Sequence, residues 1–486
     1  MNVIVIFGAS GDLTSRKLIP ALYNLYLKKR LPKPLHIVGF SRTPMDDNTW
    51  RSKLAETTKK FASNVFSPEQ WNEFASRIHY HSGDIGNTAD FQSLAEYLHS
   101  LSKDAAETNY LYYLSTAPQF YGLLTQQVGK AGLAKEPQNG NRRVIIEKPF
   151  GTDLKTAEEL NRIVKENFDE SQIYRIDHYL GKETVNNVLV LRFANAIFEP
   201  IWNRNYIENI QITANEDVLI GRRAPYYETA GVLRDMFQNH LLQILTFVTM
   251  EPPAVFSAKA VRDEKVKVFQ SIRPMQHSDV LRNTLRGQYI GYKNEQGVAA
   301  GSRTATYGAV RLLIDNWRWK DVPVFLRSGK GMSCRTTQIL IQFRCPPHSL
   351  FMSKNFPDIP LQGNRLLIQI QPAEGIQLYF MTKQPDTEMD IQMRELNFNF
   401  KDSFNGVMPD SYERLILDAI HGDASLFARS DEVEAAWKII DPIQQVWDNK
   451  ETPEPEPYEV GSIGPDSAED WIRTFGANWF NLCPLL

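Results

Sequence analysis

The residues best able to do chemistry stand in one short run, Asp177–Lys182, which reads Asp-His-Tyr-Leu-Gly-Lys. The run combines a carboxylate, an imidazole, a phenol and an ammonium, and its glycine precedes a predicted helix. Because neighbouring side chains of an extended segment point to opposite sides, Asp177 and His178 are expected to have different tasks. His178 and Lys182 are four residues apart near a helix N-terminus, which suits a phosphate. The run has the groups that a phosphorylated sugar would need, which are cationic donors for a phosphate and an acid/base pair for a carbon that loses a proton and a hydride.

A second group of residues, Gly8–Leu13, directly follows an apolar run at the start of the chain. Gly8 permits a tight turn, and Gly11 lets backbone N–H groups approach a pyrophosphate, although strict GxGxxG spacing is absent. A glycine pair after a strand is often only a turn, but its place on the first strand of a βαβ series favours a dinucleotide site. The predicted cofactor-binding residues of this loop and the following helix start are Gly8, Ala9, Ser10, Gly11, Asp12, Leu13, Thr14 and Ser15.

The end of the second predicted strand indicates which dinucleotide is bound. The segment Ser41–Thr43 stands where an NAD site usually has a carboxylate for the ribose 2′-hydroxyl. The planar guanidinium of Arg42 suits a 2′-phosphate instead. The alternative is a solvated loop arginine, and Asp46 and Asp47 a few residues further on weaken the argument for a phosphate. We predict NADP as the cofactor, with NAD as a secondary one.

Two further residues have both a functional and a structural interpretation. Lys148 follows a predicted strand in the run Glu-Lys-Pro-Phe-Gly, where it either reaches cofactor and sugar or is a surface lysine. His240 lies on the apolar stripe of a helix predicted over 229–250, so it is either a core histidine or a partly buried general base. A base of this kind needs an orienting partner, and Asp177 can hold its other ring nitrogen.

These residues are positioned by two kinds of predicted structure. The part of the chain before Gly181 alternates short β-like runs with helical patterns, which is typical of βαβ units and a parallel sheet. The later part has strands at hairpin-like spacing, which favours a large, mostly antiparallel sheet covered by helices. We expect a Rossmann-like NADP-binding domain at 1–178, of the α/β class, and a larger C-terminal substrate domain at 179–486, of the α+β class.

Composition limits the class of protein. The length of 486 residues predicts at least two domains. A net charge of −3 provides no global basic field, so neither nucleic acid nor a membrane is expected as a partner. Cys334, Cys345 and Cys483 form no CxxC pair, which predicts no metal site and fits a reducing compartment. The start of the chain lacks a basic region and the apolar runs are short, so we expect no signal peptide and a cytoplasmic location.

The longer run Arg175–Glu183 resembles the substrate motif of the glucose-6-phosphate dehydrogenase family. Other matches follow in the family's order, and they are Gly8–Leu13, Glu147–Gly151, Leu191–Asn195, Ile201–Arg204, Arg234–Gln243 and Pro323–Lys330. The resemblance implies oxidation of D-glucose 6-phosphate at C1 to 6-phospho-D-glucono-1,5-lactone with hydride transfer to NADP+ and without a metal. This is the first step of the oxidative pentose phosphate pathway.

The resemblance also implies roles for single residues. It makes His240 the general base and Asp177 the carboxylate that orients it. The residues that it places at the substrate's phosphate are His178, Tyr179 and Lys182. Those that it places at the sugar are the carboxylates Glu216 and Asp235 and the cations Lys330 and Arg335. Those that it places at the cofactor are Arg42 for the 2′-phosphate, Tyr113, and Lys148, which also reaches the sugar.

Some features depart from the family pattern. Ser15 stands where a basic residue is common, and Val218–Tyr227 differs from the usual glycine-rich version. Asp235 precedes His240 by five residues, about 140° around an ideal α-helix, so both reach one sugar only across a helix end or a kink. The family also implies a homodimer, or a dimer of dimers, formed through the broad open face of the large sheet.

Two other functions are compatible with parts of the sequence. A sugar oxidoreductase of the glucose–fructose oxidoreductase type would share the Rossmann domain, a Glu-Lys-Pro segment and an open sheet, but the Asp177–Lys182 run argues against it. A non-catalytic NADP-sensing regulator would keep the fold, but the presence of both Asp177 and His240 argues against that function.

Overall fold

The computed structural model describes residues 1–103, 105–348, 350–351, 362–387, 389–403 and 409–483. Contacts divide the chain into two compact units. The segments of the first unit are Met1–Gly181, Ala254–Asp263 and Pro409–Glu434, and those of the second are Lys182–Pro253, Glu264–Met408 and Ala435–Leu486. The domain limits predicted from the sequence are 1–178 and 179–486. They place Ala254–Asp263 and Pro409–Glu434 in the second domain, whereas in the structure these two segments belong to the first unit. Periodicity indicates the type of an element and not the unit against which it packs.

Strands and helices occur in both units. The strands are β1 Asn2–Phe7, β2 Leu35–Ser41, β3 Ile78–Ser82, β4 Asn109–Leu114, β5 Arg142–Ile146, β6 Ile173–Ile176, β7 Ile207–Asn215, β8 Thr284–Tyr289, β9 Tyr307–Leu313, β10 Pro323–Gly329, β11 Thr336–Phe343, β12 Arg365–Gln371, β13 Gly375–Lys383, β14 Ile391–Asn399, β15 Phe427–Ala428 and β16 Glu456–Tyr458. The α-helices are α1 Ile19–Leu27, α2 Asp47–Phe61, α3 Pro68–Ala75, α4 Thr88–Leu101, α5 Tyr121–Lys130, α6 Leu154–Lys165, α7 Glu183–Phe193, α8 Ala224–Val232, α9 Leu242–Thr249, α10 Ala258–Ser271, α11 His277–Asn283, α12 Phe400–Ser403, α13 Ser411–His421, α14 Ser430–Asp448 and α15 Ser467–Arg473. None of the helices in the described ranges is long and apolar enough to cross a membrane.

The first unit is built on a seven-stranded sheet in the order β15-β6-β5-β4-β1-β2-β3. Strands β1 to β6 pair in parallel, and β15 pairs antiparallel with β6. The strand order reverses between β1 and β4, which is the doubly wound arrangement and confirms the predicted Rossmann-like sheet. Because parallel strands end at the same edge, the residues that follow them share that edge of the unit. Gly8, Arg42, Lys148 and Asp177 lie there, after β1, β2, β5 and β6.

The second unit is built on a nine-stranded sheet in the order β14-β13-β12-β11-β7-β10-β9-β8-β16. Six of its eight strand pairs are antiparallel, whereas β10 with β7 and β16 with β8 are parallel. The predicted large, mostly antiparallel sheet is therefore confirmed. The strands at its centre are buried, but Leu396 and Phe398 of β14 are 60% and 49% exposed at the sheet's edge.

The second unit holds a cystine that the sequence does not predict. The Sγ atoms of Cys334 and Cys483 are bonded, and their Cα atoms are 6.0 Å apart although 149 residues separate them. The segment that carries Cys483 lies beside β7, where the Phe480 N–H donates to the side-chain oxygen of Gln211 at 3.0 Å. Spacing in the sequence cannot reveal a contact that only the fold creates. Because two of the three cysteines are bonded to each other, the cysteines no longer support the prediction of a reducing compartment.

Candidate functional site

The loop after β1 has the geometry that a dinucleotide needs. Gly8 has a φ of +85°, and a Cβ atom at this position would lie 2.1 Å from the Ser115 carbonyl oxygen, so only glycine fits. A Cβ atom at Gly11 would lie 3.0 Å from the Gly8 carbonyl oxygen. The two glycines thus let the loop turn tightly at the carboxyl end of β1, which is where a Rossmann-like sheet binds a pyrophosphate through backbone N–H groups. These features fit the pyrophosphate of a dinucleotide such as NADP.

The two hydroxyls at the start of the following helix brace this loop from within. Thr14 is buried, and its hydroxyl lies 3.2 Å from the Gly8 carbonyl oxygen and 3.1 Å from the Ser115 hydroxyl. The Ser15 hydroxyl donates to the Gly11 carbonyl oxygen at 3.1 Å. The direct contact of Thr14 and Ser15 with the cofactor stays a prediction, because both hydroxyls donate within the loop.

The segment after β2 gathers hydrogen-bonding groups around Arg42. The Ser10 and Ser41 hydroxyls lie 2.8 Å apart, and the Thr43 hydroxyl lies 3.5 Å from that of Ser10. The Tyr80 hydroxyl donates to the Thr43 carbonyl oxygen at 2.7 Å, which holds this segment against β3. The Arg42 side chain is 77% exposed, so its guanidinium can reach a ligand at the loop. Three hydroxyls and a guanidinium suit a 2′-phosphate.

The two carboxylates that weaken the argument for Arg42 are engaged elsewhere. Asp46 caps α2 and accepts the Thr49 N–H at 2.7 Å, and this hydrogen bonding lowers the pKa of the Asp46 carboxyl group. Asp47 accepts the Tyr80 N–H at 2.7 Å and pairs with His79 at 3.2 Å. The sequence shows that these carboxylates are near Arg42 but not that local structure uses them.

His178 lies in a partly buried network of hydrogen-bonding groups in the first unit. Its Nε2 atom is 2.6 Å from the Tyr412 hydroxyl and 3.4 Å from a carboxylate oxygen of Glu147. The other Glu147 oxygen accepts the Tyr113 hydroxyl at 2.5 Å. Burial raises the pKa of Glu147, but His178 and the hydrogen bonds outweigh it and leave the pKa below its usual value. Glu147 therefore stays ionised beside His178.

The same network changes the interpretation of Tyr113. Its side chain is buried, and burial followed by the adjacent Glu147 raises the pKa of Tyr113 well above its usual value. The phenol donates to a carboxylate, so Tyr113 stabilises Glu147, and its predicted contact with the cofactor stays a prediction. Lys148 is half-buried next to this carboxylate, at the end of β5. The two residues thus lie at the edge where the sheet's ligands bind.

The run from Asp177 forms a tight turn. The Asp177 carboxylate accepts the Tyr179 N–H at 2.9 Å, and its carbonyl accepts the Leu180 N–H at 3.0 Å. A Cβ atom at Gly181 would lie 2.9 Å from the side chain of Leu415, so glycine lets α13 pack closely. The run is therefore a turn and not the extended segment expected from the sequence, and the different tasks of Asp177 and His178 stay a prediction. Lys182 is the residue directly before α7 and occupies its N-cap position.

In the second unit, three predicted substrate residues lie together. The Lys330 ammonium contacts the Glu216 carboxylate and lies 3.1 Å from a carboxylate oxygen of Asp235. Arg223 approaches the other Asp235 oxygen at 4.0 Å, and the Tyr227 ring lies 5.6 Å from the ammonium. Lys330 and Asp235 are both buried. Two carboxylates held beside one ammonium can accept hydrogen bonds from sugar hydroxyls. Arg335 is exposed in the segment before β11.

The helix predicted over 229–250 has three parts. Residue Gly231, at the end of α8, has a φ of +57° and a ψ of −179° that interrupt the helix. A π-helical segment, Leu233–Leu241, follows and leads into α9. In a π-helix each N–H bonds a carbonyl five residues back, so residues five apart lie one above the other. Asp235 and His240 therefore share a helix face, and the 140° separation expected for an α-helix is wrong.

His240 is more deeply buried than the sequence predicts, with 3% of its surface exposed. It does not lie on a purely apolar stripe, because several polar residues of the same helix are also buried. They are Asp235, Gln238, Asn239 and Gln243. Burying so many polar groups is costly unless they are hydrogen-bonded, and such clusters are typical of functional sites. Asp177 belongs to the first unit and His240 to the second, so their pairing stays a prediction.

Tyr412, Tyr227 and Asp84 are absent from the residues predicted from the sequence. Tyr412 reaches His178 from a segment 234 residues further along the chain, a contact that has no sequence signal. Tyr227 lies in the stretch that departs from the family pattern. Asp84 follows β3 and lies 3.9 Å from Arg42. Within the described residues there is no group of three or more His, Cys, Asp or Glu side chains that could hold a metal ion.

Comparisons with known proteins give a consistent result. The family model for the NAD binding domain of glucose-6-phosphate dehydrogenase matches residues 5–187, and that for its C-terminal domain matches residues 189–480. Glucose-6-phosphate 1-dehydrogenase of Aggregatibacter actinomycetemcomitans is 44% identical over 487 residues, which cover 98% of this chain and 96% of the relative. The Bacillus subtilis (strain 168) enzyme of that name is 39% identical, with coverage of 99% and 98%.

Solved structures agree with these relatives. A glucose-6-phosphate dehydrogenase in complex with its substrate glucose-6-phosphate is 34% identical, with a TM-score of 0.91 and coverage of 99% of this chain and 98% of that chain. Glucose-6-phosphate 1-dehydrogenase from Mycobacterium avium is 33% identical, with a TM-score of 0.84 and coverage of 100% and 99%.

Proposed function

The chain belongs to the glucose-6-phosphate dehydrogenase family, and we propose how its residues carry out the family's reaction. The reaction is the oxidation of D-glucose 6-phosphate at C1 to 6-phospho-D-glucono-1,5-lactone with reduction of NADP+. The observation that carries this function is the match of both family domains across nearly the whole chain. It favours this function over an enzyme of the glucose–fructose oxidoreductase type. Measured formation of NADPH would exclude a non-catalytic NADP-sensing regulator.

His240 is the proposed general base. Oxidation at C1 removes a proton from the C1 hydroxyl and a hydride from the carbon, so that a carbonyl bond forms. A ring nitrogen of His240 takes the proton, and bound NADP+ supplies the acceptor for the hydride. Asp177 is proposed to hold the other ring nitrogen and to stabilise the imidazolium. Burial of His240 excludes water that would compete for the proton.

The remaining residues are proposed to orient the substrate. His178, Tyr179 and Lys182 hold its phosphate, with the Glu147 network fixing the direction of the His178 ring. The sugar hydroxyls are held by Glu216 and Asp235, whose charges Lys330 balances. The phosphate contacts are remote from C1, and orientation of this kind is worth up to roughly 7–11 kcal/mol in ideal cases. Arg335 and Lys148 are proposed as further cations beside the sugar.

The cofactor is proposed to lie along the loop Gly8–Ser15, with its 2′-phosphate at Arg42. The tight turn at Gly8 and Gly11 supports this placement, as do the hydroxyls around Arg42. NAD is proposed as a secondary cofactor, because the loop binds the pyrophosphate that both dinucleotides share.

The experiment that tests the function is initial-rate kinetics with glucose or glucose 6-phosphate, each combined with NADP+ or NAD+. We expect the highest kcat/KM for glucose 6-phosphate with NADP+. Free glucose should be a poor substrate with either cofactor. Equal rates with glucose and glucose 6-phosphate would contradict the role of His178, Tyr179 and Lys182.

We also propose that the protein is a homodimer, or a dimer of dimers, formed through the large sheet. Support comes from β14, the edge strand, whose Leu396 and Phe398 are exposed. An exposed edge strand with apolar side chains is otherwise an aggregation risk. Light scattering coupled to size exclusion would measure the mass, and Leu396→Lys should shift it towards the monomer.

A cytoplasmic location is proposed as well. The substrate is a charged sugar phosphate and NADP+ is charged too, and neither crosses a membrane unaided because burying a charge in hydrocarbon is costly. Activity measured in separated cell fractions would test this, and activity confined to an extracytoplasmic fraction would contradict it.

A further inference from the structure

The ends of β2 and β3 lie side by side at the proposed 2′-phosphate site. Ser41 pairs with Ser82 in parallel register, and the Gly83 N–H donates to the Ser41 carbonyl oxygen at 3.0 Å. Arg42 directly follows β2, and Asp84 follows β3 after one intervening residue, Gly83. The Arg42 Nε atom lies 3.9 Å from a carboxylate oxygen of Asp84. Backbone pairing therefore places a carboxylate beside the guanidinium that is proposed to bind the cofactor.

Hydrogen bonds of both the side chain and the backbone hold Asp84 in place. One carboxylate oxygen accepts the Gly86 N–H at 2.7 Å, and the Asp84 N–H donates to the Asp90 carboxylate at 2.7 Å. A Cβ atom at Gly83 would lie 2.5 Å from the Phe40 ring, so the end of β3 is packed tightly against β2. The second carboxylate oxygen of Asp84 is the one that faces Arg42.

Asp84 and Arg42 act in opposite directions on a 2′-phosphate. A phosphate monoester carries between one and two negative charges at neutral pH, so Arg42 attracts it and Asp84 repels it. The two side chains are exposed, at 77% and 48%, which weakens both effects through solvent screening. A ribose 2′-hydroxyl has no charge, and a carboxylate accepts a hydrogen bond from it, as in NAD sites. Asp84 therefore favours NAD relative to NADP.

We propose that Asp84 is a specificity-determining residue of the cofactor site, which lowers the preference for NADP over NAD. The inference rests on the proposed binding of NADP at Arg42. The sequence draws attention to Asp46 and Asp47, which are close to Arg42 along the chain, but these carboxylates cap α2 and bind Tyr80 and His79. The carboxylate that faces Arg42 comes from the neighbouring strand.

Equilibrium titration of the whole enzyme with NADPH and with NADH, followed by nicotinamide fluorescence without sugar, tests the proposal. Asp84→Asn keeps the size of the side chain and the oxygen that accepts the Gly86 N–H, but removes the charge. We expect Kd for NADPH to fall about threefold to tenfold at low salt and Kd for NADH to stay constant or rise. An unchanged Kd for NADPH, or equal shifts for both dinucleotides, would overturn the proposal.

Control variants separate this proposal from the one on which it rests. Glu96→Gln removes the same charge from the exposed face of α4 and should shift Kd for NADPH less than twofold, whereas a shift equal to that of Asp84→Asn would overturn the proposal.

Arg42→Gln should raise Kd for NADPH. If it does so while Asp84→Asn has no effect, only the role of Asp84 fails. If Arg42→Gln has no effect either, the 2′-phosphate site itself is wrong. Should Asp84→Asn not fold, Asp84→Ser retains an acceptor for Gly86.

Discussion

Asp235 and His240 stand five residues apart on a π-helical segment, and that spacing places them on one helix face. On an α-helix the same spacing would turn them about 140° apart. The wider turn places a carboxylate that binds Lys330 on the same side of the helix as an imidazole, as the proposed binding of one sugar by both residues requires. Short π-helical stretches are frequent at functional sites. The local departure from α-helical geometry thus brings the two groups onto one side of the helix.

The first prediction concerns the proposed base. His240→Asn keeps a hydrogen-bonding group of similar polarity but cannot accept the proton from C1, because an amide is not a base at neutral pH. We expect kcat to fall about 10²- to 10⁴-fold with KM for glucose 6-phosphate nearly unchanged. Initial rates over a range of substrate concentrations measure both. The matched control is His99→Asn, which removes an exposed imidazole from α4 and should leave both constants as they are. A large rise in KM with intact turnover would exclude the base assignment.

The second prediction concerns the buried ion pair of the second unit. Lys330→Met leaves Asp235 and Glu216 without the ammonium that balances them. Breaking a buried pair by removing one partner is destabilising by about 3–5 kcal/mol, so the urea midpoint should fall markedly. Combining Lys330→Met with Asp235→Asn should recover part of the midpoint, because one uncompensated charge is gone.

Activity separates the two roles of this pair. The double variant should remain inactive even where its stability recovers, because the sugar loses both a carboxylate and a cation. The midpoint is measured by urea unfolding and kcat/KM by initial rates on the same samples. Recovery of activity together with stability would mean that the pair has only a structural role.

The third prediction concerns the network around His178. Tyr412→Phe keeps the ring that packs 4.8 Å from the His178 ring but removes the hydroxyl 2.6 Å from its Nε2 atom. We expect KM for glucose 6-phosphate to rise about fivefold or more, with a smaller change in kcat, because the imidazole is less well oriented towards the phosphate. Initial rates measure this effect. KM for NADP+ should stay constant, and a rise in that constant alone would place Tyr412 at the cofactor instead.

Local signals explain which parts of the fold are predictable. The glycine turn after β1 and Arg42 after β2 are predicted because a parallel strand and its turn are contained in about a dozen residues. The polar run Ile78–Ser82 does not show that β3 pairs with β2, so Asp84 behind it is not predicted to lie near Arg42. The π-helical segment has an apolar stripe like that of an ordinary α-helix, so the sequence predicts an α-helix there. Tyr412 and the cystine depend on contacts between distant segments.

The fourth prediction concerns pH and the pair formed by His36 and His79. Their ring nitrogens are 3.1 Å apart, and the other nitrogen of His79 lies 3.2 Å from the Asp47 carboxylate. Burial, helped by the neighbouring His79 and Arg77, lowers the pKa of His36. Burial also lowers the pKa of His79 and outweighs Asp47, which acts in the opposite direction. Both imidazoles are therefore held neutral in the folded first unit more than in the unfolded chain.

Acidification should therefore destabilise the first unit. Because the unfolded histidines bind protons at a higher pH than the folded ones, the stabilisation is complete above their usual pKa of 6.5 and is lost as the pH falls through the lower folded values. We expect the urea midpoint to decline between about pH 7 and about pH 5. The decline should be shallower in His36→Gln, which removes one of the two groups, and unchanged in His99→Asn. A profile equally steep in wild type and His36→Gln would show that other groups, and not this pair, set the acid sensitivity.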